Sequence, residues 1–139
     1  MLPINLLAVA IAAVVAFVIG FLFHGPVFGK VWMKLADIHM TGNEKMKDMI
    51  PQMVWNLVSN FVTAYVLAVV YLYASTSSYT SGPGIWTGIH TGLWVWVGFL
   101  VTSSSIEVIW MGRKAKLWLF ESTCSLVVMV AMGAFIASM

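Results

Sequence analysis

Apolar positions along this chain fall into four long runs, separated by three polar stretches of unequal character. The runs cover about 3–23, 51–73, 85–110 and 117–137, and the first holds no charge. A helix needs about 20 residues, at about 1.5 Å each, to cross a hydrocarbon core about 30 Å thick. Each run has that length. Inside lipid no water can satisfy a backbone N–H or C=O, so the runs predict transmembrane α-helices rather than open strands. Pro51 opens the second run, a position suited to a first helical turn.

The connections refine this picture. Residues 24–50 carry Lys30, Lys34, Asp37, Glu44, Lys45, Lys47 and Asp48. Within them Val27, Phe28, Val31, Trp32 and Leu35 recur at helical spacing, with Lys30 and Lys34 on the other side. That pattern predicts a short amphipathic helix lying in the membrane interface. Thr41-Gly42-Asn43-Glu44 fits a capping box, from which a helix from about Gly42 would run into the second span and bend at Pro51. Residues 74–84 hold no charge and read as a turn-rich loop. Residues 111–116 contain Arg113, Lys114 and Lys116. The fold class expected is an all-α integral membrane protein. Its four transmembrane helices form one bundle domain over 1–139, with an interfacial helix between the first and second spans.

Charge adds a direction. All seven Lys/Arg fall in the first and third connections, which an even number of spans puts on one face. The positive-inside rule makes 24–50 and 111–116 cytoplasmic and both termini external, as expected for a bacterial inner (plasma) membrane. Trp32, Trp55, Trp110 and Trp118 would mark the inner boundary, and Tyr71, Tyr73, Tyr79 and Trp86 the outer one. Composition agrees: 61% of residues are hydrophobic and 9% charged, against roughly 25% charged in an average soluble domain. A soluble domain this small has too little interior to hide so much apolar side chain, so the lipid bilayer is the first partner. The first run lacks the basic flank of a secretory signal and is read as a retained helix. No solvated basic face suggests nucleic acid. Cys124, the single cysteine, excludes an intrachain disulfide and a cysteine-based metal framework.

The stretch from Gly20 through His24-Gly25-Pro26 to Trp32-Met33 resembles the start of the membrane family catalogued as domain of unknown function 1761. Gly88-Ile89-His90-Thr91-Gly92 through Trp96-Val97-Gly98-Phe99 is similar as well, as are Gly112-Arg113-Lys114-Ala115-Lys116-Leu117 and Met132-Gly133. The resemblance covers most of the chain. It implies a compact four-span membrane protein and no activity. His24 stands where an aromatic such as Tyr is commoner, and Glu121 where an uncharged polar residue is expected, so a role at either need not be shared by the family.

Candidate chemistry is confined to polar residues inside the spans. Gln52, Asn56, Asn60 and Thr63 share one face of the second helix with Ser59 alongside, and Asn60 lies about 13 Å in from Pro51. Such amides face protein or water rather than lipid, as interhelical hydrogen bonds or as the lining of a solute path. Gly84, Gly88 and Gly92, four residues apart, read as a packing seam, within the bundle or between subunits. His90, about 7 Å from the outer boundary, is either a proton relay or metal ligand or a neutral histidine with one backbone or hydroxyl partner. Glu107 and Glu121 are the acids of the predicted spans, each near Arg113, Lys114 and Lys116. They read as an ion-pair cluster or as a protonatable coupling group, Glu121 being the deeper. His24 lies at the same boundary, and with the two carboxylates would suit a metal or proton site, although no spacing demands it.

No phosphate-binding glycine loop, zinc-protease histidine pair or nucleophile elbow is present, so neither an enzyme nor a cofactor nor a bound metal is expected. The reading reached is a small homo-oligomeric transporter or channel for a small solute or ion. In it Asn56, Asn60 and Thr63 line the route, and Glu121 couples protons if transport is active. The alternative is a non-catalytic scaffold or accessory subunit associated with other membrane subunits.

Overall fold

The computed structural model describes residues 4–39, 46–78 and 82–139, and they form an all-α membrane protein with four helices long and apolar enough to span a bilayer. Helix α1, Leu6–His24, is capped by Asn5, whose Oδ1 accepts from the amides of Leu7 and Ala8 at 3.1 and 3.2 Å. It stops at Gly25-Pro26, where proline cannot continue the hydrogen-bond ladder. The interfacial helix α2, Gly29–Ala36, follows and ends on Asp37 in the left-handed conformation (φ 54°). There the amides of Asp37 and Ile38 both donate to the Met33 carbonyl. Helix α3 is Met46–Thr76, and the third span is continuous from Ile85 to Met111. That span is built from α4 (Ile85–Val95), a π-helical stretch (Trp96–Val101) and α5 (Thr102–Met111). Helix α6, Ala115–Ser138, closes the chain.

Helix α3 begins at Met46 with Pro51 inside it, so a helix runs from the first connection into the second span. A proline this near a helix start removes one intrahelical bond while the turns beyond it stay complete. The π-helical stretch was not expected. The capping box at 41–44 and Tyr79 lie outside the described residues.

Helix α6 is the hub, packing against α1, α3, α4 and, at its first turns, α2 and α5. Helix α1 also packs on α3, and α3 on α4. In lipid no hydrophobic force draws apolar helices together, so association depends on close backbone approach at small residues. Two such seams exist. Ala8, Ala12 and Ala16 of α1 are all buried and recur every fourth residue, and Ala64 and Ala68 of α3 are buried with them. The second seam joins α4 to α6: a methyl at Gly88 would fall on the Gly133 carbonyl oxygen, and one at Gly92 on that of Met129. Gly84 does not belong to this seam. It stands before α4 with no atom within 4 Å of where a Cβ would be, and its N–H donates to the Tyr71 hydroxyl at 3.0 Å.

The core of Val9, Leu67, Met129, Met132 and the small residues around them occupies the half of the bundle remote from Arg113 and Lys114. The basic half is looser. Among the described residues α5 packs only on α6 and does not approach α1 or α3. Outward-facing side chains such as Trp55 (73% exposed) and Trp110 (82%) are those a bilayer would cover.

Candidate functional site

Because α3 and α5 diverge at the basic end, a polar vestibule of about 600 Å³ opens between α1, α3, α5 and α6. It runs from His24 and Arg113 at the basic end to Met129 and Thr63 at mid-span. There it borders the core residues Ala16 and Met129. From Glu121 to Met129 is eight residues of α6, about 12 Å of depth.

The second span supplies one wall. Asn56, Asn60 and Thr63 line the vestibule, as residues three and four apart on one helix face must do together. Asn60 donates from Nδ2 to Asn56 Oδ1 at 2.8 Å, and Thr63 donates to the Ser59 carbonyl at 3.0 Å. Ser103, Ser104 and Glu107 of α5 form the opposite wall.

The mouth is organised by Arg113. Helix α5 ends at Gly112 in the left-handed conformation (φ 67°), where glycine carries no Cβ penalty. The amides of Gly112 and Arg113 both donate to the Glu107 carbonyl, the latter at 3.1 Å. This tight turn brings the guanidinium between the two helices. One of its terminal nitrogens pairs with Glu107 and the other with Glu121. A planar guanidinium suits such forked contact. Desolvation works against the charge of Arg113, but its hydrogen bonds with Glu107 and Glu121 and the nearby charge of both outweigh it, so its pKa is raised. Lys114 turns the other way and pairs with Asp37 after α2, tying the interfacial helix to the start of α6.

Two indoles brace the walls. Trp118 donates from Nε1 to Ser104 Oγ at 2.9 Å, joining α6 to α5. Trp96, the first residue of the π-helical stretch, donates to the Ser122 carbonyl and to Ser125 Oγ, both at 3.0 Å.

The structure thus gathers His24, Asn56, Asn60, Thr63, Glu107 and Glu121 around one space. His24 donates from Nδ1 to the Gly20 carbonyl at 2.9 Å and sits edge-on to Trp32, ring centroids 5.0 Å apart. His90 is elsewhere, exposed on α4, and donates from Nδ1 to the Trp86 carbonyl at 2.8 Å. Gly88 and Gly92 are occupied within the chain, so neither is free to bind a second copy. Among the described residues no three His, Cys, Asp or Glu side chains could hold a metal together. His24, Glu107 and Glu121 share the vestibule without forming a ligand set.

Sequence reading missed the bracing indoles; it expected an ion-pair cluster at Glu107 and Glu121 without saying which cation joins them. Trp118 reads as a boundary aromatic, yet its N–H points at Ser104. Of the three cations near the carboxylates in sequence, the pairing of α5 with α6 selects Arg113 to join both. The hydroxyls at Ser104 and Ser125 were the available signal, since a buried indole N–H needs an acceptor.

A family model described as Protein of unknown function (DUF1761) matches residues 7–137. The chain belongs to this family. The DUF1761 match spans all four membrane helices and every residue of the vestibule. No curated protein and no solved structure matches the chain.

Proposed function

We propose that this DUF1761 protein is a small homo-oligomeric transporter or channel, admitting a small polar solute or ion from the cytoplasm into the vestibule. One observation carries the reading: a cavity lined by Asn56, Asn60, Glu107 and Glu121 that reaches from Arg113, at the end rich in Lys and Arg, to packed core residues at mid-span. Positive-inside topology makes that end cytoplasmic. A cavity that reaches from one side to packed core at mid-span is what a solute-translocating protein presents in one of its states. The amides of Asn56 and Asn60 bond to each other on one helix and leave further N–H groups facing the cavity they line.

Self-association follows from the incomplete wall. The gap between α3 and α5 leaves Asn56 and Ser103 open laterally, and polar groups at membrane depth face protein or water rather than lipid. A second copy covering that gap would complete the path. An accessory-subunit role, the alternative reading, gives the vestibule no task.

The test is reconstitution in liposomes and a screen of small cations, anions and neutral solutes by solid-supported-membrane currents and radiolabel uptake. At least one solute is expected to move, and Asn60→Ala and Glu121→Gln are expected to abolish its flux while both variants still insert. Undiminished flux in both variants would sink the reading, as would the absence of flux for every solute class.

A further inference from the structure

We infer that the vestibule selects small monovalent organic cations, of the ammonium or guanidinium type. The inference rests on the solute-binding reading above and names its substrate class.

Charge is the first argument. Two carboxylates, Glu107 and Glu121, share the single guanidinium of Arg113, which leaves the mouth one negative charge in excess. Among the described residues no other Lys or Arg lines the cavity: Lys114 is held outside by Asp37, and Lys116 is exposed and does not line it. His24, the remaining titratable base at the wall, has Nδ1 committed to the Gly20 carbonyl. An anion would meet both carboxylates while finding the two terminal nitrogens of Arg113 already engaged.

Hydrogen-bond polarity is the second argument, and it is independent of charge. Thr63, Ser103, Ser104 and Ser125 each donate their hydroxyl proton to a carbonyl of their own helix. A hydroxyl has one proton and two lone pairs, so what each offers beyond its helix is acceptor capacity. Asn60 spends one amide proton on Asn56, and its carbonyl oxygen is not used in that bond. The hydroxyls and this carbonyl are acceptors that a ligand rich in N–H groups would engage.

Shape and aromatic lining complete the case. Trp118 lines the cavity with its N–H committed to Ser104, and indole is the best of the cation-binding rings. A volume of about 600 Å³ lies within the range of organic-ligand sites and far exceeds a bare ion.

The experiment uses the full chain in lipid nanodiscs. Binding of methylguanidinium, tetramethylammonium, neutral methylurea and methylphosphonate is measured by calorimetry and by tryptophan fluorescence at matched ionic strength. Saturable binding of at least one cation is expected, with methylurea and methylphosphonate about tenfold or more weaker, the scale of one hydrogen bond to a charged group. Glu121→Gln is expected to weaken the cation by a similar factor. Should that variant fail to fold, the comparison among ligands on the unaltered chain still decides. Equal or tighter binding of the phosphonate or the urea, or no saturable cation binding, overturns the inference. Cation binding without flux in liposomes would refute transport and leave the selectivity standing. Flux of an anion blocked by Asn60→Ala would do the reverse.

Discussion

Adding one methyl group at Gly88 probes the contact that shuts the far half of the bundle. The added carbon would overlap the carbonyl oxygen of Gly133 and lie 2.6 Å from the Ala137 Cβ. The first obstacle is backbone, which cannot rotate away as a side chain can, so α4 and α6 must part. Forcing extra volume into a packed contact typically costs about 1–3 kcal/mol. Gly20→Ala provides a matched control, because no atom lies within 4 Å of the position its Cβ would take. There the change should gain up to about 1 kcal/mol from helix propensity alone. Helix propensity favours both alanines alike, so the expected gap between the variants is about 1–3 kcal/mol, or of order 3–10 °C in unfolding temperature for a chain of this size. Thermal unfolding followed by tryptophan fluorescence in one detergent reads it directly. If Gly88→Ala unfolds at or above the temperature of Gly20→Ala, the glycine seam carries none of the stability assigned to it.

The Arg113 fork gives an asymmetric expectation. Arg113→Gln leaves Glu107 and Glu121 with no shared cation, whereas Glu107→Gln leaves an Arg113–Glu121 pair, so the first should lose about 1–3 kcal/mol more in the same unfolding assay. An equal or larger loss in Glu107→Gln would show that the fork is not shared. At the α2 tether, the hydrogen bond from Lys114 and then its charge hold the Asp37 carboxyl below its ordinary range. A depressed folded-state pKa contributes stability above the unfolded value and loses it as pH falls through the folded one, so the tether should hold at neutral pH and release only below about pH 4. Hydrogen exchange over 29–37, relative to Asp37→Asn, should show protection that vanishes in that window. Release already near pH 6 would contradict the assignment.

Much of this architecture was legible because a bilayer imposes length and hydropathy on each span separately. Residues 3–23 and 117–137 need no partner to be recognised. The stripe Asn56, Asn60, Thr63 was legible for the same reason, since residues on one helix face are neighbours by geometry. What joins elements was not. Glu107, Arg113 and Glu121 lie close in sequence, yet their fork depends on a left-handed turn at Gly112. That Gly88 meets Gly133 rather than another subunit depends on which helix packs on α4, and glycine spacing alone is silent on it. The seam of Ala8, Ala12 and Ala16 escaped notice because alanine within an apolar run reads as filling. Nothing in Trp96–Val101 marks a wide helical turn, for it lacks proline and is apolar throughout.

That wide turn gives the chain an uneven tolerance to insertions and deletions. Each residue of an α-helix advances about 100° around the axis, and a π-helical turn accommodates about one residue more than an α turn. The stretch at Trp96–Val101 therefore sets the angular phase between the glycine face of α4 and the face of α5 that bears Ser103, Ser104 and Glu107. Deleting a single residue there would let the span relax to regular α geometry. The turn would then close with one residue fewer, and Glu107 would keep nearly its present phase. One residue removed from the regular helix of α4 would instead swing Glu107 through about 100° relative to α6, and the Glu121 arm of the Arg113 fork and the Trp118–Ser104 brace would separate together, in a span still long enough to cross the bilayer. A one-residue change within 74–84 would alter a loop and leave that phase untouched.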